Sequence, residues 1–189
     1  MSKEDRAHWD QSHGGRSHDA AEPATFLAEN AALLPPGRTL DLAAGSGRNA
    51  VFLASRGHRV LAADVSRVAL EVIRGRDPRI DLVAVDLDRP CFRPASFDNI
   101  VCVSFLDRRL FPSFVEWLRP GGVLLYDTFL VDQRDVGHPR NPDFLLERNE
   151  LLERLRGERV LRYREGAVAE AAGVSYRASI VAVRVGGKD

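Results

Sequence analysis

The alternation of short apolar segments with helical patterns between residues 39 and 126 constrains this chain most. Five segments have the apolar, partly β-branched composition of strands: 39–43, 59–63, 81–85, 100–103 and 122–126. Between them, residues 48–56, 67–74 and 110–118 space their apolar side chains as helices do. Because strands that are apolar on both faces and separated by helices are typical of a parallel sheet covered on both sides, we predict a doubly wound α/β fold.

The ends of the chain add elements to this pattern. Residues 22–34 and 141–156 have helical spacing, and the second helix is expected to begin with Asn141 as its cap and Pro142 in its first turn. Residues 159–164 and 175–185 alternate like strands. The side chains of the last strand expected in the core are Tyr176, Ala178, Ile180, Ala182 and Val185. We therefore predict a Rossmann-like sheet of seven strands, mostly parallel, with one antiparallel strand near the C-terminus.

Composition excludes several function classes. The chain has 189 residues, the size of one domain, and 27 basic side chains balance 27 acidic ones, so nothing favours nucleic acid or an anionic membrane. Its only lysines are Lys3 and Lys188, which excludes a phosphate-binding P-loop and Schiff-base catalysis. Cys91 and Cys102 have neither disulfide-framework nor metal-ligand spacing, and the first ten residues lack the apolar core of a signal peptide. We predict a cytoplasmic protein without a metal.

The glycine-rich turn after the first strand points to a ligand. Glycines there let a ligand approach the backbone closely, and Asp64, nineteen residues after Gly45, could accept hydrogen bonds from both hydroxyls of a ribose. A nicotinamide dinucleotide and S-adenosylmethionine both meet this pattern. Asp41 adds negative charge where a dinucleotide would place its pyrophosphate, whereas a ligand with a sulfonium and an ammonium is attracted by it. The pattern therefore favours S-adenosylmethionine.

Asp41, Ala43, Gly45 and Gly47 match the spacing of an acid and three small residues in one family's first motif. The chain thus resembles the class I S-adenosylmethionine-dependent methyltransferases, and residues 47–54 resemble their tellurite-resistance and thiopurine-type small-molecule branch. Ala43 stands where glycine is commoner, which should narrow the pocket slightly.

The resemblance implies that the ends of the first four strands hold the cofactor. The cofactor-binding residues it implies are Asp41, Ala43, Gly45, Ser46 and Gly47 at the methionine end, Asp64 and Val65 at the ribose and adenine, Asp86 and Leu87 at the adenine, and Val103 and Ser104 beneath the cofactor. The candidate acceptor residues are Trp9, Phe105, Tyr126, Phe129 and Phe144, with Asp127 beside them. We accordingly divide a single domain into an N-terminal cap segment and helix (1–36), a cofactor-binding half (37–130), and a substrate-side helix with the closing strand pair (131–189).

These features predict an enzyme that transfers a methyl group in line to a small molecule, with a soft sulfur, selenium, tellurium or thiol acceptor favoured by the resemblance. Such a displacement can proceed by positioning and water exclusion without a dedicated base, which agrees with the absence of a Ser-His-Asp or Cys-His pattern. Two alternatives stay open. One is a protein that binds S-adenosylmethionine as a sensor or interaction module without transfer. The other is an NAD(P)-dependent oxidoreductase, which Asp41 and the lack of a Tyr-x-x-x-Lys pair disfavour.

Overall fold

Seven strands form one sheet in the computed structural model, which describes residues 22–87, 92–170 and 173–186. The strands are β1 (Arg38–Leu42), β2 (Arg59–Asp64), β3 (Ile80–Ala84), β4 (Phe97–Val103), β5 (Leu118–Phe129), β6 (Arg159–Glu170) and β7 (Gly173–Val183). Their order is β3-β2-β1-β4-β5-β7-β6. Strands β1 to β5 pair in parallel, and β7 runs antiparallel to both β5 and β6. The predicted seven-stranded sheet with one antiparallel strand is confirmed.

Within the described residues, five α-helices cover the two faces of this sheet: α1 (Thr25–Asn30), α2 (Arg48–Ser55), α3 (Arg67–Ile73), α4 (Phe111–Trp117) and α5 (Glu150–Arg154). Side chains alternate between faces along each strand. Val101 and Leu125 therefore pack against α1, α2 and α3, whereas Leu124 and Ile180 pack against α4 and α5. Helices on both faces are what the apolar strand composition predicted.

The strand order fixes where a ligand can enter. Chain connections run outward from the centre of the sheet, so β1 and β4 are neighbours whose following segments depart in opposite directions. Such a reversal opens a crevice at the carboxyl ends of the two strands, where open α/β sheets bind ligands. The glycine-rich turn after β1 and Ser104 after β4 both lie at this edge.

The helix predicted over residues 141–156 is wrong. The segment contains a 3-10 turn (Pro142–Phe144) and the short α5, with extended backbone between them. The Leu146 amide donates to the Phe129 carbonyl at 2.9 Å, and the Val131 amide donates to the Leu146 carbonyl at 2.8 Å. This bridge beyond the end of β5 uses backbone groups that a helix would have needed. The predicted cap is present, since the Asn141 side chain accepts from the Asp143 amide at 3.0 Å.

Two further differences concern strand lengths and burial. Strand β6 extends to Glu170, beyond the predicted residue 164, because its later residues pair with the first residues of β7. Val185 lies beyond the end of β7 and is 53% exposed, and Tyr176 is only partly buried. Ala178, Ile180 and Ala182 are buried as predicted. Within the described ranges, no helix has the length and apolar character needed to cross a bilayer.

Candidate cofactor and acceptor site

The turn between β1 and α2 has an unusual backbone that requires small residues. Ala43, Gly45 and Gly47 all have positive φ angles, at 56°, 53° and 82°. A Cβ atom on Gly47 would lie 2.5 Å from Cγ1 of Ile73 in α3, well inside van der Waals contact. Gly47 is therefore required both by its conformation and by the close packing of the turn against α3.

Asp64, at the end of β2, ties the neighbouring turns together. Its Oδ2 accepts from the Gly45 amide at 2.8 Å, and its Oδ1 accepts from the Ser66 amide at 2.9 Å. The side chain is held in one orientation by these two bonds. Each carboxylate oxygen retains acceptor capacity, so the group can also receive hydrogen bonds from two vicinal hydroxyls.

Asp41 is a buried acid without full hydrogen bonding. It is 1% exposed, and its Oδ2 has no hydrogen-bond partner among the described residues. Burial, together with the charge of Asp64, raises the pKa of Asp41 to about 7, against the opposing effects of the Ala50 amide and of Arg48. An unpaired buried carboxylate oxygen is costly, and a cation bound beside it would remove that cost. The two acids thus place negative charge beside the glycine turn, which suits a positively charged nucleoside.

The remaining predicted cofactor residues lie at the ends of β2, β3 and β4. Val65 and Asp86 are partly buried, and Leu87 and Val103 belong to the cores on opposite faces of the sheet. Ser104 is exposed, adopts a φ of 56°, and donates its amide to the Asp127 carbonyl at 2.8 Å. The structure therefore brings the predicted positions to one edge of the sheet.

The predicted acceptor residues are less uniform. Phe105 and Phe129 are partly buried at the carboxyl edge, and Phe144 is 50% exposed on its 3-10 turn. Tyr126 is fully buried, donates its hydroxyl to the Phe105 carbonyl at 2.6 Å and packs against Phe111 and Phe114. Even-numbered β5 residues face that core, so Tyr126 lies in the interior rather than at a pocket wall, and burial raises the pKa of its hydroxyl well above the usual range. Trp9 lies outside the described residues.

A buried ion pair at the ends of β4, β5 and β7 was not predicted. Arg177 and Asp127 are 5% and 3% exposed, and Arg177 Nη2 donates to Asp127 Oδ2 at 2.7 Å and to Ser104 Oγ at 2.9 Å. Ser179 Oγ donates to Asp127 Oδ1 at 2.7 Å. The sequence signals this ion pair only through Arg177 and Ser179, two polar residues that alternate with the apolar side chains of β7. Their partner follows from the register between β5 and β7, which the sequence does not reveal.

Cys102 is fully buried in the core that also contains Leu42 and Tyr126. Burial raises the pKa of its thiol well above the usual range, so it is not a nucleophile. In the parts of the chain that the structure describes, no three or more His, Cys, Asp or Glu side chains are grouped to hold a metal.

Comparison with known proteins agrees with this geometry. Residues 39–122, which run from β1 into β5, match a family described as a methyltransferase domain. This part of the chain is therefore similar to a methyltransferase domain. Its predicted cofactor is S-adenosylmethionine, and the residues present fit that ligand: the buried Asp41 carboxylate places negative charge next to the glycine turn for its cationic end, and the Asp64 carboxylate can accept from its ribose hydroxyls.

Relatives extend the similarity beyond this domain. A demethylmenaquinone methyltransferase of Clavibacter sepedonicus is 38% identical over 101 residues, which cover 49% of this chain and 41% of that protein. TehB from Haemophilus influenzae superposes with a TM-score of 0.74 at 20% identity, over 95% of this chain and 66% of that one. The chain thus spans less than half of the curated relative and about two thirds of TehB.

A third similarity covers nearly the whole of both chains. The 1,6-didemethyltoxoflavin-N1-methyltransferase of Burkholderia thailandensis, solved with its substrate and S-adenosylhomocysteine, superposes with a TM-score of 0.67 at 19% identity, over 98% of this chain and 92% of that one. The predicted Rossmann-like fold is therefore confirmed over almost the whole chain.

Proposed function

We propose that this protein transfers a methyl group from S-adenosylmethionine to a small-molecule acceptor. One observation carries the proposal: the glycine turn is flanked by Asp64, fixed by two amide hydrogen bonds, and by Asp41, whose buried Oδ2 lacks a partner among the described residues. A pyrophosphate would face repulsion from Asp41, whereas a cationic nucleoside would satisfy it. This argues against the nicotinamide alternative.

The chain's own residues would bind and orient rather than exchange protons. When bound, S-adenosylmethionine would supply an electrophilic methyl group on a sulfonium whose leaving group is a neutral thioether, so that an acceptor lone pair could take the methyl group without further activation. Asp64 and the glycine turn would fix the donor, and the segments after β4 and β5 would hold the acceptor in line and keep water away. Asp127 already accepts hydrogen bonds from Arg177 and Ser179, so it positions these segments and is not placed to remove a proton.

We propose an acceptor of small-molecule size, placed against Phe105, Phe129 and Phe144. Support comes from the structural similarity to a methyltransferase solved with bound 1,6-didemethyltoxoflavin and from the balanced charge of the chain, which offers no field for nucleic acid. A soft sulfur, selenium, tellurium or thiol acceptor is the subclass that the sequence resemblance supports. The division into cap, cofactor and substrate segments belongs to the same proposal.

Calorimetric titration tests the cofactor first. We expect heat of binding with S-adenosylmethionine and S-adenosylhomocysteine and none with NADH. A hundredfold excess over Kd should add about 2.7 kcal/mol to the free energy of unfolding. Binding of NADH alone would overturn the proposal.

A methyl-transfer screen then tests the reaction. Thiols, amines and metalloid oxyanions are each incubated with the protein and S-adenosylmethionine, and formation of S-adenosylhomocysteine is measured. Turnover with a thiol or chalcogen compound is the expected result. Tight cofactor binding without turnover on any acceptor class would instead favour the sensor alternative.

A further inference from the structure

The guanidinium of Arg177 is hydrogen-bonded through Nε and Nη2 but, among the described residues, not through Nη1. Nε and Nη2 donate to the Asp127 carboxylate, and Nη2 also donates to Ser104 Oγ. Nη1 makes no hydrogen bond within the described residues, although it is not sealed from solvent there. The Phe129 ring lies 4.4 Å from the guanidinium carbon and fixes its plane. A rigid pair of N–H donors thus points away from the ion pair.

The group nearest to Nη1 is a carboxylate that is too far away to bond. Glu170 Oε1 lies 3.7 Å from Nη1, and its side chain is 39% exposed whereas that of Arg177 is 6% exposed. The pair therefore joins a fixed cation to an acid that can turn into solvent. Because Glu170 is itself exposed and makes no hydrogen bond to Arg177 at this distance, another carboxylate could displace it at small cost.

A second unsatisfied donor lies between these two residues. Ser175 is 6% exposed, and its hydroxyl has no hydrogen-bond partner among the described residues. Glu170 pairs with Gly173, and Ser175 and Arg177 follow at two-residue steps on the same face of β7. This register places Ser175 between the two members of the Arg177–Glu170 pair, so we expect departure of the Glu170 side chain to uncover both donors.

This group of donors lies on the acceptor side of the candidate site. Arg177 pairs with Phe129 at the end of β5 and bonds to Ser104 at the end of β4. The cofactor crevice lies between β1 and β4, so β4, β5 and β7 border its far side. A molecule held at Arg177 would reach toward the crevice past Ser104.

We propose that Arg177 Nη1 and Ser175 Oγ form an oxyanion subsite that binds a carboxylate carried by the methyl acceptor, with Glu170 occupying the position until the acceptor arrives. Charge-assisted bonds from a fixed guanidinium and a hydroxyl are the chemistry that recognises a carboxylate. This inference rests on the proposed function, and it narrows the acceptor to a soft nucleophile with a carboxylate nearby.

Two probes that differ by one carboxylate test the subsite. 2-Mercaptobenzoate and thiophenol are titrated calorimetrically into the protein saturated with S-adenosylhomocysteine. We expect at least tenfold tighter binding of 2-mercaptobenzoate. Glu170→Gln should tighten it a further three- to tenfold, because the competing charge is removed, while thiophenol binding stays unchanged. Glu153→Gln, an exposed acid on α5, is the matched control and should change neither value.

Loss variants complete the test. Ser175→Ala should weaken the binding of 2-mercaptobenzoate about threefold. Arg177→Lys, which keeps the positive charge beside Asp127, should weaken it at least tenfold. The affinity for thiophenol should stay unchanged in both variants. Equal wild-type affinity for the two probes, or equal effects of Glu170→Gln and Glu153→Gln, would overturn the subsite. Failure of S-adenosylhomocysteine to bind would count against the proposed function instead. The same probe titrations on the ligand-free protein would then still decide the subsite.

Discussion

Ala43 carries the clearest local strain in the candidate site. Its φ of 56° lies in the left-handed region, which is unfavourable for a residue with a Cβ atom. The chain keeps alanine at a turn position where its resemblance to the methyltransferases leads one to expect glycine. The side chain therefore costs stability unless it contributes a contact to the ligand.

Ala43→Gly should stabilise the protein. Relief of the left-handed conformation outweighs the added freedom of the unfolded chain, for a net gain of about 0.5–1 kcal/mol in the free energy of unfolding. Urea unfolding measures it. Ala44→Gly is the matched control, since Ala44 is 7% exposed and has no positive φ. Its free energy of unfolding should fall by about as much as that of Ala43→Gly rises. A loss in both variants would show that the Ala43 methyl group makes a contact worth more than the strain.

The buried Asp41 should make stability depend on pH. Its folded-state pKa of about 7 lies above the unfolded value near 3.9, so between roughly pH 4 and 7 the folded protein binds the extra proton. The free energy of unfolding should then fall as pH rises through this window and stay low above it.

Asp41→Asn removes this dependence. Without ligand, the variant should be more stable than the wild type at pH 8 by at least about 1 kcal/mol, with no advantage near pH 4, because only the charged carboxylate is penalised by burial. It should also bind S-adenosylmethionine more weakly at pH 8. Urea unfolding and calorimetry at both pH values measure the two effects, and Asp81→Asn on exposed β3 is the control. An equal stability difference at both pH values would contradict the mechanism.

At the level of elements, the predicted secondary structure is correct where the spacing of apolar side chains matches the backbone conformation. Strands β1 to β5 are apolar runs between turns, and each was predicted near its observed position. The segment 141–156 failed because Leu145, Leu146, Leu151 and Leu155 are all buried, yet they reach the core from extended backbone and a short helix. Helical spacing identified the buried residues there but not their backbone conformation, which the bridge to Leu130 decides.

The contact between Gly47 in the β1–α2 turn and Ile73 in α3 can be tested by substitution. Gly47→Ala should cost about 2–4 kcal/mol, because the new methyl group meets Ile73 at 2.5 Å and the φ of 82° is strained. Gly57→Ala also has a positive φ but open space around its Cβ, so it should cost only about 1 kcal/mol. The difference in urea unfolding isolates the α3 contact, and cofactor affinity should fall only in the first variant. Equal losses would remove the packing explanation.

On the scale of the whole molecule, the proposed function divides two tasks along one edge of the sheet. The glycine turn, Asp64 and Asp41 lie on the β1 and β2 side, and their close spacing in the sequence is what allows them to be proposed as one site. The acceptor side joins Ser104, Asp127 and Arg177, which are far apart in sequence and meet only through the β5–β7 register. Spacing along the sequence can therefore indicate a site whose residues are close in the chain, but not one whose residues meet only through strand pairing.

This separation predicts that cofactor binding and turnover can be damaged independently. Asp64→Asn places an amide nitrogen against the Gly45 or Ser66 amide, so the Kd for S-adenosylhomocysteine should rise at least tenfold. Phe144→Ala removes a ring that is 50% exposed on the 3-10 turn after β5, so the Kd for S-adenosylhomocysteine and the free energy of unfolding should be unchanged while kcat/KM for the acceptor falls severalfold. Calorimetry and turnover on both variants measure this. If Phe144→Ala weakened cofactor binding as much as it reduced kcat/KM, the acceptor could not lie on the β4–β5 side. The assignment of the two tasks along the edge would then be wrong.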